Sequence, residues 1–162
     1  RTLLWGRKDR VMKQEALIKI KCIQRAGGDD DVVELLTTGS FAREEGCYII
    51  SYEESEATGF EGALTTLRYE EEAGRVPLTR SGSVNTQLII EKGKRHQCSY
   101  DLGYGSMIIG VNCSVIHSTL SEEGGQIAFG YSLDLNTALT SENQVIIAVF
   151  LDNKEPANTT EV

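Results

Sequence analysis

The sequence predicts an all-β fold, a single up-and-down antiparallel β-barrel of about 8–10 strands, on three observations. Only two prolines, Pro77 and Pro156, occur in 162 residues, and glycines recur at fairly even intervals between runs of Val, Ile, Leu, Thr and Tyr. Apolar residues alternate with polar ones at a period of two, the pattern of a strand with one buried face. The links between runs are of hairpin length, and no segment carries a convincing amphipathic helix.

The clearest elements lie late in the chain. Along 105–117 the odd positions Met107, Ile109, Val111, Cys113 and Val115 are apolar, and along 127–136 so are Ile127, Phe129, Tyr131, Leu133 and Leu135. The link SEEGG (121–125) joins them into a long hairpin, its paired glycines permitting positive φ. Weaker alternation predicts strands at 15–24, 32–42, 47–54, 60–70, 75–81, 86–92, 95–102 and 144–151, with one helical turn allowed over 137–143. Pro77 cannot donate to a ladder, so it is expected at an edge, a bulge or a strand start. A meander of this many strands leaves two raw edges unless it closes, and closure favours a barrel.

Composition narrows the function classes. Sixteen Lys and Arg against 24 Asp and Glu give a net charge of −8, and the basic residues are scattered, so a nucleic-acid footprint is absent. The longest apolar runs, such as VIIAVFL (145–151), fall far below the ~20 residues of a spanning helix, so no membrane partner is expected. Cys22, Cys47, Cys98 and Cys113 lie far apart in strand-like runs and are read as reduced thiols, neither zinc ligands nor a redox pair. Residues 1–11 have a basic start without a signal peptide's apolar core and are read as an N-terminal appendage. The domain is placed at 12–152 and a flexible tail at 153–162, in a cytoplasmic protein.

The segments YIISYEESEATGFEGALTTLRYE (48–70), VPLTRSG (76–82), IIEKGKRHQCSYDLGYGSMIIGV (89–111) and GGQIAFGYSLDLN (124–136) occur in that order. Together they resemble a YwiB-like bacterial family of unknown function. The resemblance implies a calycin-like barrel, related in shape to the lipocalins. It implies no activity and no catalytic residues. Two departures stand out: Leu102-Gly103 where Thr-Pro is expected before Tyr104-Gly105, and Pro77 inside a strand.

Parity suggests one candidate site. Arg80 shares a face with Val76 and Leu78, His96 with Cys98, Tyr100 and Leu102, Arg68 with Phe60, Leu64 and Thr66, and Glu54 with Tyr48, Ile50 and Tyr52. A barrel mouth would gather these groups, and Tyr52, Glu54, Arg68, Arg80, His96 and Tyr100 are the expected ligand-binding residues, with arginines suited to a carboxylate or phosphate. The plainer reading is that charges near strand ends reach water, or that Arg80 and Glu54 satisfy each other in the core. His96 and His117 are the only histidines and have no ligand spacing around them, so neither a metal nor another cofactor is expected. No G-x-S-x-G elbow supports a hydrolase.

The leading expectation is a non-enzymatic barrel, monomeric or a small homo-oligomer, that binds a small, partly apolar anionic ligand. A structural or protein-interaction module with a filled barrel is the alternative. An enzyme using Tyr52, Glu54, His96 and Arg80 ranks third. Within EESEATG (53–59), most of the charge is expected in a solvated turn, with Glu54 alone turned inward.

Overall fold

A computed structural model describes residues 13–101 and 105–151. The expected appendage (1–11), the tail (153–162) and the Leu102–Tyr104 departure lie outside the described residues. Ten antiparallel strands follow one another: β1 (Gln14–Ala26), β2 (Asp29–Glu44), β3 (Cys47–Glu53), β4 (Ala63–Glu70), β5 (Arg75–Gly82), β6 (Thr86–Glu91), β7 (Arg95–Asp101), β8 (Ser106–Ser118), β9 (Gly124–Leu135) and β10 (Ala138–Leu151). They form one sheet in the order β6-β5-β4-β3-β2-β1-β10-β9-β8-β7. The meander curls until its two terminal strands, β6 and β7, lie against each other, giving a nearly closed barrel.

The order of links gives the barrel two ends. Those joining β1 to β2, β3 to β4, β5 to β6 and β9 to β10 mark the upper end; those joining β2 to β3, β4 to β5, β6 to β7 and β8 to β9 mark the lower end. Alternation turns one side chain in two inward. Ile18, Ile50, Leu67, Val76, Ile90, Val111 and Ile127 are fully buried and, with Phe41 and Phe129, fill the middle of the barrel. The odd-numbered faces expected for the late hairpin are the inward ones up to Cys113; a bulge between Cys113 and Val115 then turns Ile116 inward and Val115 out.

At Gly39 a side chain would meet backbone, and at Gly110 it would displace a side chain laid across the strand. A Cβ on Gly39 would lie 2.2 Å from the carbonyl oxygen of Ser51, so β2 and β3 meet there only because the position is bare. A Cβ on Gly110 would lie 2.2 Å from a guanidinium nitrogen of Arg95. That guanidinium crosses the outside of β8 to reach β9, where it donates to both carboxylate oxygens of Asp134 at 3.0 and 2.6 Å.

Three expectations change. No helical turn occupies 137–143: β10 starts at Ala138, and the turn is Asn136-Thr137, both at positive φ, an unusual conformation for a β-branched threonine. The Thr137 amide donates to Asp134 there at 3.2 Å. Pro77 is neither at an edge nor at a strand start. It lies inside β5 between β4 and β6, and the β4–β5 ladder skips from Leu67↔Leu78 to Glu70↔Arg75 around it. The third concerns β4, which begins at Ala63, so its inward set is Ala63, Thr65, Leu67 and Tyr69 and the expected parity is off by one.

Candidate binding site at the upper end of the barrel

β3 brings Tyr48, Ile50 and Tyr52 inward, and one further step of the alternation places Glu54 at its upper end. The chain then turns through a 3₁₀ helix (Glu56–Thr58), in which the Ser55 hydroxyl accepts the Ala57 amide and Gly59 takes the left-handed conformation that ends it. This local chemistry explains the composition of EESEATG. Glu53 and Glu56 are exposed, while the Glu54 side chain is only 2% exposed.

A buried carboxylate costs several kcal/mol unless it is compensated. Glu54 has three donors: the Thr58 hydroxyl at 2.6 Å, the Thr65 hydroxyl from β4, and Arg80 Nε from β5 at 3.3 Å. Phe60 covers one face of the Arg80 guanidinium, with its ring centre 4.1 Å away, a cation–π contact that also removes that face from water. The two Nη nitrogens of Arg80 have no hydrogen-bond partner among the described residues. An arginine carries five N–H donors in a planar fork, and here the Nη edge is uncommitted.

Around this pair stand groups from the rest of the barrel. Burial, then the neighbouring Glu54 carboxylate, pushes the Tyr52 phenol well above its ordinary range, against the opposing charge of Arg80. Burial raises Tyr131 on β9 to about 12, with Arg80 again opposing. Burial also raises the Cys22 thiol on β1; Arg80 lowers it and Glu54 raises it. All three are therefore neutral at physiological pH. Tyr100 on β7 acts on Tyr131 and belongs to the same end, since Tyr100 pairs with Met107 near the top of β8. Inward-facing Cys22, Leu35, Tyr100, Met107, Tyr131 and Leu133 are only partly buried, unlike the sealed residues below them. The upper end is thus a shallow funnel with apolar and phenolic walls above a packed floor.

The six expected residues do not all meet. Tyr52, Glu54, Arg80 and Tyr100 converge here. Arg68 does not: with β4 parity shifted, it faces outward, is 40% exposed, and pairs with Glu44 and Glu70. His96 keeps the inward parity expected of it but sits at the lower end of β7, where its Nε2 lies 2.9 Å from Glu91. Phe60, Thr65 and Cys22 were missed. Thr65 was hidden by the β4 slip, Phe60 lies in the loop and not in the strand, and Cys22 carries only the signal of alternation.

A second concavity lies on the outside of β1, β8, β9 and β10. It encloses about 680 Å³ over Ile23, Val115, Ala128, Gly130, Gln144 and Ile146. Among the described residues no group of three or more His, Cys, Asp or Glu could hold a metal ion, and no helix is long and apolar enough to cross a membrane.

The fold and this end of the barrel define a class: a ten-stranded up-and-down barrel with a charged pair set into one mouth. Residues 18–147 match the family described as Domain of unknown function (DUF1934), and the chain belongs to that family. It is similar to the Uncharacterized beta-barrel protein YwiB of Bacillus subtilis (strain 168), 29% identical over 125 residues, which span 75% of this chain and 84% of the relative. The crystal structure of ywiB protein from Bacillus subtilis shares the fold, with a TM-score of 0.75 at 22% identity over 86% of this chain and 92% of that one.

Proposed function

We propose that the barrel is a binding protein for a small, partly apolar molecule that enters the upper funnel and presents an anionic, hydrogen-bond-accepting group to Arg80. One observation carries this reading: the Arg80 fork is held by Glu54 and Phe60 with its Nη edge uncommitted, beside inward-facing walls that are only partly covered. Pockets of this kind combine apolar lining with a few convergent polar groups. A lipocalin-like barrel of eight to ten strands has about the width to admit one small ligand.

The filled-module alternative also has an observation behind it, because the Glu54 carboxylate already has three donors and the barrel floor is packed. Arg80→Lys separates the two readings. It keeps a positive charge beside Glu54 but loses the planar fork. A thermal-shift panel of small carboxylates and phosphates should contain a compound that raises the melting temperature of the parent protein. At 100-fold its dissociation constant such a compound adds about 2.7 kcal/mol, a rise of roughly 5–10 °C for a domain of this size. Arg80→Lys should melt within about 2 °C of the parent and fail to respond. A parent protein that no member of the panel shifts contradicts the binding reading and leaves the filled module.

A further inference from the structure

We infer that the ligand is a monocarboxylate on a short apolar body, and that the site discriminates against phosphate esters and other dianions. This rests on the binding reading above and adds the charge and shape of the group that Arg80 receives. Below the rim, the inner face of the upper end carries one cation, Arg80, and one anion, Glu54, among the described residues. The pair is neutral in sum, and the phenols of Tyr52 and Tyr131 and the thiol of Cys22 stay protonated around it.

A dianion entering this site would meet a single guanidinium already shared with a carboxylate, and would leave at least one charge uncompensated among apolar walls. A singly charged group adds half that burden. The rim reinforces the difference, because Asp29 and Asp31 at the start of β2, Glu53 at the end of β3, and Glu56 and Glu61 in the link after it are all exposed around the upper end, and their field opposes a second negative charge more than a first.

Shape limits the tail and leaves the choice of head to charge. With Nε engaged by Glu54, the remaining donors of Arg80 are the coplanar Nη groups. Two parallel N–H donors hold two oxygens of a carboxylate or of a phosphate alike, so the net charge decides between them. The floor sets the length: below the level of Tyr52 and Tyr131 the interior is closed by Ile50, Phe129 and Ile147. Only a short chain or a single ring can follow the carboxylate into the funnel.

The test holds the carbon count constant and changes the head. Hexanoate, hexyl phosphate and hexanamide each carry a six-carbon skeleton, with charges of about −1, −2 and 0 at pH 8. In isothermal titration of the whole protein, hexanoate should bind at least about tenfold more tightly than either of the others, a gap of about 1.4 kcal/mol. Glu54→Gln removes the negative charge, keeps an acceptor oxygen for Thr65 and Arg80 Nε, and sets its amide nitrogen beside the Thr58 hydroxyl, which can accept from it while donating to the Ser55 carbonyl. It should narrow or reverse the gap between hexanoate and hexyl phosphate, provided circular dichroism shows the fold retained. If hexyl phosphate or hexanamide binds the parent as tightly as hexanoate, the monocarboxylate assignment is overturned while the binding reading stands. If none of the three binds, both fall.

Discussion

The amide of Ile89 donates to the thiol sulfur of Cys98 at 3.4 Å across the seam between β6 and β7, the two strands that end the sheet. Elsewhere neighbouring strands exchange main-chain bonds in ladders, but here side chains help to close the gap. Asp101 accepts the Asn85 amide near the upper end, Glu91 holds His96 and Lys94 near the lower end, and a short bridge joins Lys92 to Cys113. Cys98→Ala should leave the partly buried Ile89 amide without this acceptor and cost about 1 kcal/mol. Cys98→Ser, which keeps an acceptor, should lose less. Urea denaturation of the three proteins checks the order, and equal stability of the alanine and serine variants would contradict it.

Arg80 and Glu54 should behave as a coupled pair. Arg80→Met leaves a carboxylate that is 2% exposed without its cation and should lower stability by about 3–5 kcal/mol. Adding Glu54→Leu to that variant removes the stranded charge and should recover most of the loss. A double-mutant cycle by chemical denaturation measures the coupling; additive effects would mean that the two side chains do not share a site.

The same pair shows how far alternation reaches along a strand. Tyr52, Glu54, Arg80 and Tyr100 were legible because β3, β5 and β7 keep an unbroken period of two to their ends. Arg68 was misplaced because Phe60, Leu64 and Thr66 make a plausible buried face in sequence. In the structure Phe60 lies in the loop and Leu64 is exposed, and the buried face of β4 includes the polar Thr65, which hydropathy does not flag. His96 had the right parity but the wrong height: which end of the barrel a strand residue occupies depends on the direction of its strand in the closed sheet, and local pattern does not encode it. The Asn136-Thr137 turn was invisible for a different reason, since its positive φ values are held by the Asp134 contact and not by glycine.

Acid should weaken the fold through two contacts away from the upper funnel. The hydrogen bond from His96, aided by Lys94 and Arg75 against the cost of burial, holds Glu91 below its ordinary range. The hydrogen bond from Arg95 does the same for Asp134. A carboxyl whose folded pKa is depressed contributes stability above its unfolded value and loses it as pH falls through the folded one. The urea midpoint should therefore drop as pH falls from about 5 to about 3, and Glu91→Gln and Asp134→Asn should each flatten that dependence. Identical slopes in parent and variants would contradict the assignment.

The most direct test of a binding funnel organised by Arg80 is nuclear magnetic resonance of the arginine side chains during titration with hexanoate. The account predicts that the Arg80 Nε–Hε resonance moves in a saturable way, together with the amides of Tyr52, Tyr100 and Tyr131, while Arg68 at the outer surface stays still. Saturable shifts confined to Val115, Gly130 and Gln144 on the outer concavity, with Arg80 unmoved, would contradict it.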